Sequence, residues 1–501
     1  MKIMKYGLII FFTLSFILFA LPFILKGILN IGNITGMLGS FLCVLVVLNN
    51  KQLYPYLTSK ITIIFVIVFL GIITFCSYKI LSNINHPSNK ETTVVVLGCR
   101  VKDKKPSLAL KERLDKTYEY LNENKELITA NAGNEIEVKY VLDLRDFPGD
   151  PCEKVLVHDY NVILNDPEVE VVIEVMGGIN PAYDFVKSAL LAKKSVCTSN
   201  KELVAKHGAE LIKIAQSNNR NFLFEAAVGG GIPIIRPMNM HITADKIVEI
   251  AGILNGTTNY ILTKMDKEGA DFDSTLKKAQ DLGYAERNPE ADIEGFDAVR
   301  KIAILASLAK GKTVDFEEIY TEGISKITAE DFKYAKAMGR SIKLIGKCKN
   351  EESGVVCSVA PRLLAPEHPL YNVSGVTNGI LVRGNMVGDL VFIGSGAGKL
   401  PTASAVVSDV VDSVRHLNVS TTVMWDEEKL EVEDFSKSRK KFFVRTEKPK
   451  EEVEKVFGTV EYIDAKVQNE IGFVTEKLSE EDFAKKATEL GNVISRIRIE
   501  G

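Results

Sequence analysis

Three apolar stretches without a charged residue dominate the start of the chain: Gly7 to Leu25, Gly27 to Asn50 and Ile61 to Tyr78. Each is close to the ~20 residues a helix needs to cross a bilayer, so the pattern predicts three transmembrane helices within residues 1–85. A basic start before an apolar run also suits a signal peptide, but this run is long for one and no small-residue cleavage site follows it. Lys2 and Lys5 precede the first run, and Lys51 and Lys60 separate the second from the third. Lysine-bearing segments stay on the cytoplasmic side, which would leave everything after Tyr78 outside. Beyond residue 90 the pattern changes to short apolar runs alternating with amphipathic ones. Val94 to Leu97 reads as a strand, Gly98 as a turn and Ser107 to Asn122 as an amphipathic helix. Strands are predicted at Glu137 to Leu142, Glu168 to Val175, Val196 to Thr198 and Asn221 to Glu225, with helices at Pro181 to Ala192 and Lys201 to Gln216. This α/β alternation implies a doubly wound parallel sheet. From about Lys246 a mixed sheet with helices is expected. From about Lys440 to Gly501 the order is strand, helix, two strands, helix, strand.

Composition narrows the picture only a little. A chain of 501 residues holds several domains, and a net charge of -3 with 25% charged residues gives no basic surface for nucleic acid. The seven cysteines show no CxxC spacing and the six histidines no paired-ligand spacing. They argue against a disulfide framework and against a zinc site.

The chemistry concentrates in AQDLGYAERNPEADIEGFDAVRK, Ala279 to Lys301. Glu286, Glu290, Asp292, Glu294 and Asp297 fall in a loop punctuated by Gly283, Pro289 and Gly295, which can turn acids inward. Asp297 and Lys301 lie four apart at the start of a helix closed by Gly311, which puts carboxylate and ammonium on one face. An ammonium held among carboxylates stays charged and can be aimed. Taken by spacing alone, such a loop and pair are more often solvated surface.

The order Gly-Tyr-Ala, Asn-Pro, Asp-Ile, Gly, Asp, Lys in this segment resembles the signature of homoserine dehydrogenases. The likeness extends from about Lys125 to about His416 through EVMGGINPAYDFVKSALLAKKSVCTSNKELVA, FEAAVGGGIPII, GILNGTTNYIL and GSGAGKLPTASAV. It implies reduction of L-aspartate semialdehyde to L-homoserine with NADPH or NADH, on the branch toward threonine and methionine. It makes Lys301 the proton donor beside Asp297, and Glu286 the partner of the substrate's α-ammonium. Thr257, Tyr284 and Asp292 become supporting substrate contacts, and Lys201, Ser199, Gly177 and Gly98 cofactor contacts, with Lys201 at the nicotinamide edge. Glu225 with the carbonyls of Val228, Gly230 and Ile232 resembles the family's monovalent-cation loop, suited to sodium. A homodimer or higher oligomer is expected.

The resemblance also sets the domain plan. A Rossmann-like nucleotide domain spans 86–245 and is completed by about 394–420, an α+β catalytic domain spans 246–393, and an ACT-like module spans 435–501. Thr92 to Lys125, TTVVVLGCRVKDKKPSLALKERLDKTYEYLNENK, resembles instead the opening of SanA/YdcF-like membrane proteins. There the turn from Gly98 to Asp103 holds one glycine where a dinucleotide turn has three. Asp143 favours a ribose hydroxyl and Arg145 a 2'-phosphate, so NAD and NADP both stay open. Two readings follow: a homoserine dehydrogenase on a multi-pass membrane N-terminus, its side unresolved, or a catalytically impaired membrane fusion without a working dinucleotide turn.

Overall fold

The computed structural model describes residues 2–26, 36, 39, 40, 43, 44, 47, 92–97, 108–351, 354–421 and 425–500; of these, the side chains of 2–5, 20–26, 97 and 108–115 are not described. The chain divides into two compact units, Met1–Pro87 and Ser88–Gly501. In the first, Lys2–Lys26 forms helix α1. The first expected membrane span falls on α1, whose described side chains run only from 6 to 19. The second and third spans lie, apart from isolated positions, outside the described residues. Among the described residues no helix is long and apolar enough to cross a membrane. The expected multi-pass membrane placement is therefore withdrawn.

The second unit opens on a six-stranded sheet. Its strands are β1 (Thr92–Leu97), β2 (Ile136–Leu142), β3 (Leu156–Val157), β4 (Val169–Glu174), β5 (Ser195–Thr198) and β6 (Phe222–Leu223), in the order β3-β2-β1-β4-β5-β6. Every pairing is parallel. Because a strand's side chains alternate between faces, the valines of β1 and β4 supply two cores. Val95 and Val172 pack with Leu190 and Leu203 from helices α3 (Ala182–Leu191) and α4 (Lys201–Ser217). Val94, Val96, Val171 and Ile173 pack on the other side with Val406, Val410 and Val414 from a distant helix, Lys399–Arg415. Leu121 of α2 (Leu108–Glu123) joins this second core. Each fully buried valine stabilises the fold by roughly 1.5–3 kcal/mol. The predicted elements are present, with ends shifted by a residue or two, except that β6 is two residues long. Glu225–Ala227 turns as a short 3-10 helix where strand was expected.

Beyond β6 the chain builds a ten-stranded sheet. Its first half comes from β7 (Ile247–Ile253), β8 (Ser341–Asn350), β9 (Val355–Leu364), β10 (Thr377–Gly384) and β11 (Gly388–Ser395), ordered β11-β10-β7-β8-β9 with antiparallel pairing. Helices α5 (Gly256–Glu268) and α6 (Phe296–Lys310) pack on one face through Ile261, Ile302 and Leu305. Lys399–Arg415 (α7) then returns to the first sheet. The C-terminal stretch folds as β12 (Phe442–Thr446), α8 (Lys450–Phe457), β13 (Glu461–Ile463), β14 (Ile471–Val474), α9 (Glu480–Leu490) and β15 (Val493–Glu500), the element order read from the sequence. Its strands lie in the order β15-β12-β14-β13, a ferredoxin-like arrangement. What the sequence did not announce is the seam. β15 pairs parallel with β9, Arg362 opposite Arg498, so the small sheet and the larger one are continuous.

Candidate active site

Helix α6 begins where Gly295 takes φ 83°, a left-handed turn that glycine adopts without Cβ strain. That entry places Asp297 in the first turn and Lys301 one turn on, both buried. Lys301 Nζ donates to Asp297 Oδ2 at 2.8 Å and to the carbonyl of Leu254, just past β7, at 2.8 Å. Lys201, the first residue of α4 in the nucleotide sheet's layer, reaches Asp297 Oδ1 at 2.5 Å. One carboxylate thus carries two ammonium groups from two parts of the unit. Asn255 Nδ2 donates to Asp297 Oδ2 at 2.9 Å and to Asp292 Oδ1 at 2.6 Å, while its Oδ1 caps α5 at Thr258.

Burial alone would raise the Asp297 carboxyl, but the charges of Lys201 and Lys301 outweigh it and hold it well below the usual carboxylate range. Burial pushes the Lys301 ammonium down, and Asp297 opposes that only in part. The Lys301 ammonium is thus set by two opposing effects, burial and the Asp297 charge, and not by the carboxylates alone. Asp292 is raised, first by burial and then by the Asp297 charge.

The other expected residues divide. Thr257 Oγ1 donates to the Tyr284 carbonyl at 2.6 Å, pinning the acidic loop to α5, and the Tyr284 ring lies 5.0 Å from that of Tyr260. Glu286 is exposed in that loop and not drawn into the lysine cluster. Gly177 follows β4 with φ 84°. Ser199, after β5, is buried and its Oγ has no hydrogen-bond partner. An orphaned hydroxyl and a glycine turn at the carboxyl ends of adjacent parallel strands fit a dinucleotide, which such sheets bind at that edge. Gly98 and its turn lie outside the described residues. Arg145 holds Asp143 through Nε at 2.9 Å and Nη2 at 2.8 Å, so the two features that left NAD and NADP open are joined.

Glu225 is buried and accepts from the backbone N–H groups of Ile234, Ile235 and Arg236 at 2.5, 2.7 and 2.8 Å. Three donors leave a carboxylate about one free lone pair. The side chain is placed as a cap for the helix Ile235–Met240, and the donor set fits a Glu225-centred cation poorly. Among the described residues no cluster of three or more His, Cys, Asp or Glu could hold a metal ion.

Sequence reasoning missed Glu174. Fully buried at the end of β4, it accepts from Thr198 Oγ1 at 2.5 Å, Met176 N–H at 2.7 Å and Gly177 N–H at 3.2 Å. Burial raises its carboxyl, against the pull of these donors. It ties the glycine turn to the 198–200 turn that launches Lys201. An acid ending an otherwise apolar strand was the available signal.

A parallel nucleotide sheet, a lysine–carboxylate cluster and an orphaned hydroxyl at the strand ends define a dinucleotide-dependent oxidoreductase architecture. Comparison with known proteins sharpens this. The family model "Homoserine dehydrogenase, NAD binding domain" matches residues 122–225, and the model "Homoserine dehydrogenase" matches 233–411. The chain is 47% identical to a homoserine dehydrogenase of Synechocystis over 265 residues, covering 52% of this chain and 61% of that one. It is 44% identical to the Bacillus subtilis enzyme over 288 residues (58% and 65%) and 44% to that of Helicobacter pylori over 297 (59% and 70%). The crystal structure of a homoserine dehydrogenase from Thiobacillus denitrificans superposes with a TM-score of 0.72 at 35% identity, covering 82% of this chain and 98% of that one. The chain belongs to the homoserine dehydrogenase family. It spans 61% and 65% of the length of the Synechocystis and Bacillus relatives. The SanA/YdcF-like reading of residues 92–125 and the impaired-fusion alternative gain no support from these matches.

Proposed function

We propose that this chain is a homoserine dehydrogenase, interconverting L-aspartate semialdehyde and L-homoserine with NAD or NADP in threonine and methionine biosynthesis. The observation that carries the reading is the single buried carboxylate of Asp297 shared by Lys301 and Lys201. When bound, the reduced nicotinamide supplies hydride to the aldehyde carbon. Lys301 protonates the oxygen on which charge builds, the Leu254 carbonyl and Asp297 aiming its Nζ. General acid catalysis of this kind contributes typically ~10²–10⁴-fold. Asp297 also draws Lys201 toward the reacting edge, so the nucleotide and catalytic parts meet at one charge. Glu286 takes the substrate's α-ammonium, which its exposed place in the loop allows. Asp292, Thr257 and Tyr284 shape the loop around the amino-acid end. Ser199 and Gly177, with Gly98, contact the dinucleotide; the solved structure of a hyperthermophilic archaeal homoserine dehydrogenase is a complex with NADPH. Residues 86–245 with 394–420 serve as the nucleotide domain, 246–393 as the catalytic domain and 435–501 as an ACT-like module. A homodimer is supported by edge strand β11, where Val391 and Ile393 are exposed beside Val387.

Lys301→Ala tests the assignment. Reduction of aspartate semialdehyde should fall by ~10²-fold or more while circular dichroism and NADPH affinity stay near those of the parent. Unchanged turnover would remove Lys301 from the role of acid.

A further inference from the structure

The seam between β9 and β15 encloses a cavity of about 1020 Å3, far from the lysine cluster of α6 along the sequence and built from β8, β9, β15 and the segment 431–441. Nine of its lining side chains are lysine or arginine against five carboxylates. Two of those carboxylates are already engaged by cations of the same wall, and the count still leaves an excess of basic groups. Glu500 is consumed by Lys347 and Arg362, and Glu351 accepts from Lys349 at 2.7 Å. Arg362, 4% exposed, gives Nη1 to Glu500 and Nη2 to Ser358, and its buried Nε has no partner. Lys440 is largely buried with its ammonium 3.9 Å from the Phe435 ring. Its nearest carboxylate, Glu480, is also 3.9 Å away and is already held by Arg496 and Arg498. Lys437 and Lys477 are exposed at the rim, and among the described residues neither ammonium makes a hydrogen bond or a close ion pair, the Asp434 charge near Lys437 acting only at longer range.

A solvated patch of lysines would have none of this. A buried guanidinium N–H left unpaired costs ~1–3 kcal/mol or more, and a buried ammonium whose one close acid is shared with two arginines is only partly compensated. Burial, followed by the Arg362 and Arg498 charges, pulls Lys440 down to about 7, against Glu480 and Glu500. The site carries surplus positive charge that an incoming anion would relieve. Its volume matches the ~300–1,000 Å3 of small-molecule pockets. We propose that this cavity binds a small multivalent anion, phosphoryl or polycarboxylate, through Arg362 and Lys440 inside and Lys437 and Lys477 at the rim.

The test is titration calorimetry of the full chain at low ionic strength with inorganic pyrophosphate and, separately, citrate. Saturable binding of one equivalent, weakening as salt is added, is expected for at least one probe. The one bound more tightly names the source as phosphoryl or carboxyl. Lys440→Met should abolish binding. Lys437→Gln/Lys477→Gln, altered only at exposed positions and so not at risk of misfolding, should weaken it ~10-fold. No saturable heat with either probe, or undiminished binding in the double variant, overturns the assignment.

Discussion

Asp297→Asn changes one atom's identity and removes the charge on which two lysines depend. In the parent, Lys201 and Lys301 sit 2.5 and 2.8 Å from its two oxygens, and Lys301 is itself buried. The amide keeps the shape, and its oxygen at the Oδ2 position can still accept from Asn255 and Lys301, but it offers no charge to either ammonium and turns an NH2 donor toward Lys201. Removing one partner of a buried pair costs ~3–5 kcal/mol. Lys201 is partly solvated and recovers some hydration, so a loss near ~3 kcal/mol is expected at pH 7. The pH dependence has a definite sign. The folded carboxyl lies below its unfolded value of ~3.9, so its contribution is complete above that pH and is lost as pH falls through the folded value. Parent and variant stabilities, from urea denaturation, should differ fully at pH 7 and converge at strongly acid pH. Catalysis should fail for a related reason. Burial already lowers Lys301, and loss of the opposing carboxylate lowers it further, leaving less ammonium to donate at neutral pH. The rate of NADPH oxidation with aspartate semialdehyde should drop ~10²-fold or more at pH 8 and partly recover toward pH 6. A variant with parental turnover and a stability change under ~0.5 kcal/mol would refute the shared-charge account.

Glu174→Gln should raise the dissociation constant for NADPH ~10-fold, because an amide cannot accept from Thr198 and two backbone N–H groups without turning a donor on one of them. Fluorescence titration against NADPH measures it, and an effect confined to the semialdehyde KM would count against the positioning role. Arg498→Met strips a fully buried guanidinium from Glu480 and Glu322 and should cost ~3–5 kcal/mol; denaturation midpoints showing no change would sink that estimate. Lys440→Met bears on pH. Because the folded ammonium titrates near 7 and the unfolded one near ~10.4, the unfolded chain binds more protons between them, and the parent gains stability as pH rises across that window. The variant should lose this slope, and parallel stability curves for the two proteins would show the Lys440 environment misread.

Much of this architecture is legible in the amino-acid sequence. Apolar runs bounded by glycines and amphipathic helices located β1, β2, β4, β5, α3 and α4, because a parallel sheet buried on both faces leaves little choice of residue, whereas the two-residue β3 carried no such signal. The Asp297–Lys301 pair followed from helical spacing, and the β-α-β-β-α-β order of the C-terminal stretch from its alternation. What stayed hidden depends on contacts between distant segments. Nothing in the sequence singled out Asn255 or the role of Glu174, and only folding brings their side chains to the Asp297 carboxylate and to the turn at 198–200. Glu225 shows the converse. Its resemblance suggested a cation ligand, and nothing in the sequence signalled that three backbone N–H groups would also bind its carboxylate. The apolar N-terminus was read as three membrane spans on hydropathy alone, and among the described residues that reading is not carried.

The parallel pairing of β15 with β9 has a bearing on how the protein comes into being. During synthesis β7 to β11 can assemble as soon as they emerge, and the short strand Tyr320–Thr321 then covers Ser358 and Val359 on the outer edge of β9, but Arg362 to Leu364 still lack a partner strand. Their natural cover, β15, follows only after β12 to β14 and both helices between them have been made. Until that moment Arg362 lacks Glu500, and the nascent sheet presents a sticky flank to any neighbouring chain. The C-terminal module is thus a late-arriving clasp, and a ribosome stalled within it would release a sheet that is open to aggregation at its own middle.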